Sequence, residues 1–289
     1  MENIIKNFNS LADFRKYLSQ GKTQKAFKST CTHGGALEER PGGDWYGTEN
    51  FEAAENLLSD GDKQLFKKLL ESGFNEAINI KGGASRPKIT TSVAGFAAHV
   101  PNYLAGIPNS MLFQQRIKKP ANVITIVYNL DSCGAFKDYE IITASINLLR
   151  AVVDLEKKGI RVNLYLSKMN ANDRSGSQIV GITVKLKDSG QHLDPLKTAY
   201  PLCSPSMIRR HFFRFLEVTP KVSTKFANNY GYSEKGATIE TECKKVIPGG
   251  KFAVVNLSAL ISASSKSWYK SGAGDPQTVI KKAVEKVYN

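Results

Sequence analysis

The clearest hydrophobic pattern lies in the middle of the chain, where strand and helix periodicities alternate. Residues 121–130 form a continuous apolar, β-branched run, which is typical of a strand buried on both faces. Residues 141–158 carry apolar side chains at helical spacing, and Gly159 is a typical helix end. Residues 160–167 alternate apolar and polar positions, which indicates a second strand. This order predicts a βαβ unit whose two strands run parallel.

Weaker patterns predict the elements around this unit. The additional predicted elements are helices at residues 1–30, 48–61, 62–72 and 276–288, and strands at residues 179–187 and 252–260. We therefore expect one α/β domain over residues 1–289. Its core, residues 76–289, would be a partly parallel sheet with a central βαβ unit flanked by helices, and residues 1–75 would form an N-terminal helical segment.

The charge of the chain gives the first indication of its function. Among 289 residues, Lys and Arg number 40 and Asp and Glu 26, so the formal net charge is +14. Such a basic chain favours a polyanionic partner, either nucleic acid or an anionic membrane face. No apolar run approaches the ~20 residues of a membrane span, and the N-terminus lacks the apolar centre of a signal peptide. We expect a soluble protein of a cytoplasmic-type compartment without a membrane partner.

Candidate catalytic and metal-binding residues are sparse. Asp131 follows the first predicted strand of the βαβ unit, where α/β proteins bind ligands. There it resembles the metal-binding aspartate of von Willebrand factor A-type domains, but Cys133 and Ala135 stand where that motif requires serine. The chain has no phosphate-binding loop motif, no nucleophile elbow and no HExxH sequence, and its four cysteines are widely spaced. We therefore expect free thiols, no cofactor, no metal and no enzymatic activity.

The strongest local signal for nucleic-acid binding is a basic, aromatic segment over residues 204–226. A helix beginning near Ser206 would bury its apolar residues and leave Arg209, Arg210 and Arg214 on or near the solvent side. Guanidinium groups grip phosphates and stack on bases, as in proteins that hold single strands. The other interpretation, a core helix that is merely basic, explains the phenylalanines of this segment equally well.

Further basic and aromatic residues flank this segment. Tyr230 and Tyr232 lie in a polar, glycine-containing stretch suited to base stacking. The other candidate nucleic-acid-binding residues are Lys221, Lys225, Lys244, Lys245, Arg116, Lys118, Lys119, Trp268 and Tyr269. Each of them is weak evidence alone, and their number supports the interpretation.

Several strings resemble an uncharacterised family of tailed-phage proteins. They are GGDWYGTENFEAAENLL, RPKITTSVAGFAAHVPNYLAGIPNSM, VITIVYNLDSCGAFKDYEIITASINLLRAVVDLEKKGIRV and PLCSPSMIRRHFFRFLE, together with the closing GDPQTVIKKAVEKV. The resemblance covers about residues 30–220 and implies a phage origin and an α/β core, with no catalytic residues to carry over. Size and charge also resemble, more loosely, podovirus proteins that bind single-stranded DNA and recruit the phage RNA polymerase to middle promoters.

These observations lead to one functional expectation and two alternatives. We expect a sequence-tolerant, single-stranded DNA-binding protein that acts in viral transcription, as an RNA polymerase cofactor, or in replication, in the cytoplasm of the infected bacterial host. The first alternative is a von Willebrand A-like interaction protein or virion-associated protein, whose charge serves only to keep it soluble. The second is a metal-dependent enzyme that uses Asp131.

Overall fold

The structure is a computed structural model, and it describes residues 2–30, 35–37, 45–71, 88–115, 122–131, 136–234, 236–249, 252–264 and 276–288. It confirms the predicted fold class, a mixed α/β architecture with a mainly parallel central sheet flanked by helices. Strands β1 to β9 comprise Ile4–Phe8, Lys88–Ser92, Ala97–Ala98, Met111–Gln115, Asn122–Asn129, Ile160–Ala171, Ile179–Lys187, Tyr232–Ser233 and Phe252–Asn256.

Helices α1 to α12 lie between these strands. They comprise Leu11–Gln20, Lys25–Thr30, Phe51–Asp60, Lys63–Leu69, Val100–Leu104, Asp138–Lys157, Pro195–Cys203, Phe213–Val218, Phe226–Asn229, Ala237–Val246, Leu257–Ser264 and Pro276–Tyr288. A π-helical turn, Met207–Phe212, leads directly into α8.

The central sheet has the order β1-β7-β6-β5-β9, with β8 paired to β6. Strand β5 runs parallel to β6 and to β9, which confirms the predicted βαβ unit of β5, α6 and β6. Strand β7 is antiparallel to β6, and β1 extends the sheet in parallel beside β7. A separate small antiparallel sheet has the order β2-β4-β3.

The two faces of the central sheet are covered unequally. On one face, alternate residues of β5, such as Ile126 and Tyr128, join a large core with Leu148 and Val152 of α6. On the other face, a smaller cluster packs Val127 and its neighbours against α10. The period-two alternation of these strands sends side chains to opposite faces, so both clusters form from the same strands.

Two predicted elements differ from the structure. Residues 1–30 are not one helix, because Ile4–Phe8 is a strand and α1 begins only after Ser10, whose hydroxyl accepts the backbone N–H of Asp13 at 3.1 Å. The predicted strand at 252–260 ends at Asn256, since α11 starts at Leu257. In both places a short apolar stretch fits the strand period and the helix period equally well. Pairing with a neighbouring strand then decides where the strand ends and the helix begins.

Candidate nucleic-acid interface

The three arginines of the predicted basic helix lie in the interior of the protein. The exposed fractions of Arg209, Arg210 and Arg214 are 5%, 0% and 9%, so the expectation that they face solvent is wrong. The prediction assumed a regular helix with one exposed side, whereas this segment is a π-helical turn that the N-terminal third of the chain covers. Ser206 does not cap the segment either, because its hydroxyl donates to the carbonyl of Tyr46 at 2.6 Å.

Arg210 binds backbone carbonyls that come from the segments before α3. Its guanidinium donates to the carbonyl oxygens of Ala36 at 2.9 Å, Thr48 at 3.0 Å and Glu49 at 2.8 Å. The same group lies over the ring of Tyr46. Arg210 therefore ties the π-helical turn to the N-terminal third of the chain.

Arg209 and Arg214 make similar internal contacts. Arg209 donates to the carbonyl of Trp45 and lies over the indole ring at 4.6 Å. Arg214 donates to the carbonyl of Gly21 at 2.9 Å and lies 3.5 Å from a carboxylate oxygen of Glu217. Burial raises the pKa of Glu217, and the bonds that this carboxylate accepts act in the opposite direction. Arg214 therefore ties α8 to the segment between α1 and α2, and Arg209 ties the π-helical turn to Trp45.

Tyr230 is also part of the core and not an exposed stacking platform. It is 2% exposed, and its ring stacks on Phe213 with centroids 3.7 Å apart and planes 2° apart. Its hydroxyl donates to Glu217 at 2.9 Å. The backbone at Tyr230 and Gly231 is left-handed (φ 58° and 80°), and a Cβ at Gly231 would lie 2.4 Å from the carbonyl oxygen of Ala171. This tight turn buries Tyr230, whereas Tyr232, the next residue with a side chain, is exposed.

Tyr232 is the predicted aromatic residue that does reach solvent among the described residues. It is 44% exposed and pairs with Ala171 at the end of β6. The guanidinium carbon of Arg174, an exposed residue of the β6–β7 loop, lies 5.9 Å from its ring centre. An exposed ring beside a guanidinium combines a surface for base stacking with a phosphate ligand.

Lys221 and Lys225 lie exposed next to this pair. The side chain of Gln178 donates to the carbonyl of Lys221 at 3.1 Å and accepts the N–H of Ser223 at 2.8 Å, which fixes the 221–225 loop against β7. The Lys225 ammonium lies 2.9 Å from Asp173, the neighbour of Arg174. This ion pair places the Lys225 ammonium beside the loop that carries Arg174.

Asp173 holds the shape of the β6–β7 loop. Its carboxylate accepts the hydroxyl of Ser175 at 2.6 Å and the backbone N–H of Ser177 at 3.2 Å. The hydrogen bond from Ser175, followed by that from Lys225, holds the pKa of Asp173 well below its ordinary value of 3.8. The carboxylate stays ionised at neutral pH and orders the loop that carries Arg174.

Helix α2 adds lysines from the N-terminal part of the chain. The ring of Phe27, in this helix, stacks on the buried ring of Tyr230, with the two centroids 6.0 Å apart. Lys25 and Lys28 of this helix are exposed. We use the name basic loop surface for the following residues: Lys25, Lys28, Arg174, Lys221, Lys225 and Tyr232.

Sequence reasoning did not select Arg174, Lys25 or Lys28 as site residues. No local signal distinguishes Arg174 from any other loop arginine, because its neighbour Tyr232 lies 58 positions along the chain. The lysines of α2 are a basic run without acids in the sequence, which is a signal for a basic surface but not for its place in the fold.

The remaining candidates divide into two groups. Lys244 and Lys245 are exposed on α10, outside the basic loop surface, and bind Glu240 at 3.0 Å and Glu242 at 2.8 Å. Ion pairs of this exposed kind are weak and leave the lysines accessible. The predicted residues that lie outside the described part of the chain are Arg116, Lys118, Lys119, Trp268 and Tyr269.

Asp131 has a structural partner in a distant segment. Its carboxylate accepts the backbone N–H of Ser258 at 2.8 Å and also the Ser258 hydroxyl, so it caps the first turn of α11. Within the described ranges, no three His, Cys, Asp or Glu side chains are grouped so as to hold a metal ion. Burial raises the thiol pKa of Cys203 to about 12 and that of Cys243 to about 11, so both stay protonated.

The chain has the fold of a mixed α/β protein with a basic surface at one set of loops. Over residues 2–259 it matches the family model described as a domain of unknown function, DUF7192, and the chain belongs to this family. No curated protein and no solved structure matches it. Among the helices that the structure describes, none is long and apolar enough to cross a membrane.

Proposed function

We propose that this protein binds single-stranded DNA, without catalysis and with little sequence preference, through the basic loop surface. The observation that carries the proposal is the half-exposed ring of Tyr232 beside the guanidinium of Arg174. Unpaired bases expose faces that can stack on such a ring, whereas paired bases do not. The surrounding lysines supply the phosphate contacts that dominate nucleic-acid affinity.

The rigid support of this surface favours binding by a preformed site. Tyr230, two positions before Tyr232, is held in a buried stack with Phe27 and Phe213, and Asp173 orders the loop that carries Arg174. Side chains on an ordered support lose little conformational freedom when a ligand binds.

The biological setting that we propose rests on the sequence strings rather than on the fold. Their resemblance to tailed-phage proteins supports a role in viral transcription or replication in the cytoplasm of an infected bacterium. The looser resemblance to podovirus single-strand-binding cofactors supports the phage RNA polymerase as a protein partner.

The test compares two triple variants that remove the same charge from different elements. Arg174→Ala/Lys221→Ala/Lys225→Ala changes the basic loop surface, and Lys281→Ala/Lys282→Ala/Lys286→Ala changes three exposed lysines of α12. Fluorescence anisotropy with a labelled oligonucleotide across a salt series gives affinity and salt slope. Each phosphate contact contributes about 0.7 to the slope for a single strand, so the first variant is expected to flatten it by about 2.

The matched control separates a site from general charge. The α12 variant is expected to bind nearly as the wild type does. Equal losses in both variants would mean that net charge alone attracts DNA, and unchanged binding in the loop variant would place the site elsewhere.

A second candidate function is an interaction or virion-associated protein without nucleic-acid binding. The exposed apolar side chains of residues 88–115 favour it, because a surface of that kind fits a protein partner. Absence of single-strand binding by the wild-type protein at low salt would select this candidate.

A further inference from the structure

The segment of residues 88–115 has secondary structure but no core of its own. It comprises the small sheet β2-β4-β3 and helix α5, and no described side chain in it is buried. Eight of the 13 large apolar side chains that are exposed in the described structure lie here, each 45–79% exposed. Phe96, Tyr103 and Leu104 are among the most exposed of them. A small sheet with no hydrophobic packing is not stable alone, so this segment needs a partner.

The size of the apolar surface fits a protein interface. At roughly 100 Å² each, eight such side chains present on the order of 800 Å², about what one partner contributes to a standard interface. The segment therefore exposes enough apolar area for one full interface.

Apart from Lys88 at its first position, the segment is also uncharged within a strongly basic protein. Residues 89–115 contain no Lys, Arg, Asp or Glu, although the whole chain has 23% charged residues and a net charge of +14. An acidic or polyanionic partner would find a single opposite charge here, on Lys88. Two copies of the chain, in contrast, can bring these segments together without like-charge repulsion at the contact.

Strand β2 offers a symmetric way to join two copies. Among the described strands it pairs only with β4, so its other edge presents backbone N–H and C=O groups. It carries the exposed Ile89, one charged residue, Lys88, at its first position, and no proline or bulge of the kind that blocks pairing at sheet edges. Antiparallel pairing of an edge with its own copy is compatible with a twofold axis, the commonest symmetry of oligomers.

We infer that residues 88–115 form a homodimerisation arm, which binds the same arm of a second copy of this chain. The apolar area, the single charged residue among 28 and the open edge of β2 together support this partner. Insertion into a lipid bilayer fits less well, because an open sheet edge would leave its backbone polar groups without hydrogen bonds in the hydrocarbon. The inference is independent of the proposed DNA binding.

Analytical ultracentrifugation of the 289-residue chain across a wide concentration range tests the inference. The wild-type protein is expected to sediment as a species of twice 31.8 kDa. Phe96→Asp/Leu104→Asp is expected to shift it to the monomer mass, and Ile89→Lys tests the edge strand separately. Tyr139→Asp, an equally exposed aromatic residue on α6, is the matched control and is expected to remain a dimer.

Three results would overturn the inference. They are a wild-type protein that stays monomeric at the highest concentration, a dimer that both arm variants leave intact, and a continuous series of aggregates without a defined dimer mass. A monomeric wild type that floats with phosphatidylcholine vesicles, and loses this property in the Phe96→Asp/Leu104→Asp variant, would instead assign the arm to a lipid surface. The melting temperature of each variant verifies folding, since none of the replaced side chains is buried.

Discussion

The guanidinium carbon of Arg210 lies 4.1 Å from the centre of the Tyr46 ring, and both side chains are almost completely buried. The contact joins the π-helical turn to a segment 164 positions earlier in the chain. The sequence suggests that this arginine binds DNA, but in the structure its side chain joins two distant parts of the fold. The stability of the protein, and not its affinity for DNA, is expected to depend on it.

Arg210→Ala is expected to destabilise the protein by roughly 3–5 kcal/mol, because two buried carbonyl groups and one partly buried one lose their donors, and each buried group costs about 1–3 kcal/mol. Urea unfolding of the variant gives the free energy directly. The exposed substitution Lys282→Ala is the control and is expected to change stability by less than about 0.5 kcal/mol. A stable Arg210→Ala protein with weakened DNA binding would show that this arginine faces the ligand.

Two neighbouring tyrosines are expected to respond in opposite ways. Tyr230→Ala removes a buried ring that stacks on Phe213 and is expected to cost about 3–5 kcal/mol of stability, with the preference for single strands unchanged in the folded fraction. Tyr232→Ala is expected to leave stability nearly unchanged and to lower single-strand affinity by about 1–3 kcal/mol per stacked base. Thermal unfolding and anisotropy titrations of both variants check this pair.

The salt slope distinguishes stacking from charge in the same experiment. Tyr232→Ala is expected to leave it unchanged, because no phosphate contact is lost. If Tyr232→Ala binds single strands like the wild type, the ring takes no part in binding.

Asp131→Ala is expected to lower stability by about 1–2 kcal/mol, because α11 loses its capping carboxylate. If Asp131 were only an unpaired loop residue, this substitution would have almost no effect, so the measured free energy of unfolding decides between the two. Ser258→Ala keeps the backbone bond to Asp131 and is expected to lose less. Adding a chelator is expected to leave the melting temperature unchanged, and a drop of several degrees would indicate a bound metal ion.

The pair of the partly exposed Glu55 and the buried His211 gives a pH dependence of stability. Burial raises the pKa of Glu55, but the bonds from His211 at 2.9 Å and Arg15 at 3.0 Å outweigh it and hold that pKa below its ordinary value of 4.5. A lowered pKa of an acid means that the unfolded chain binds the proton more tightly. The stabilisation is therefore present above about pH 4.5 and is lost as the pH falls toward the lower, folded-state pKa.

Melting temperatures between neutral pH and pH 3 test this dependence. Glu55→Gln is expected to remove part of the acid-induced loss of stability and to be less stable than the wild type near neutral pH. Identical pH profiles for the two proteins would mean that Glu55 does not contribute to the dependence.

The sequence predicts the central sheet well because its signals are local. The run before Leu130 and the helical spacing that ends at Gly159 determine β5 and α6 with no information from distant residues. The sequence fails at Ile4 and Leu257, where a few apolar residues fit either a strand or a helix. Contacts with β7 for the first, and with Asp131 for the second, decide the outcome.

The candidate site is less predictable because it depends on long-range packing. Whether Arg210 faces solvent depends on Ala36 and Tyr46, which lie far away in the chain. The pairing of Tyr232 with β6 brings Arg174 beside the tyrosine ring, and the sequence around either residue does not indicate this contact. The aromatic and basic composition of the region was informative, but the assignment of individual residues required the fold.

The most direct test of the proposed function is the affinity of the wild-type protein for a single strand and for the matching duplex, measured by anisotropy across a salt series. A surface that combines lysines with an exposed ring predicts tighter binding of the single strand at every salt concentration, with affinity falling steeply as salt rises. Binding of the duplex as tightly as the single strand would contradict the account, since a purely basic surface favours the higher charge density of duplex DNA.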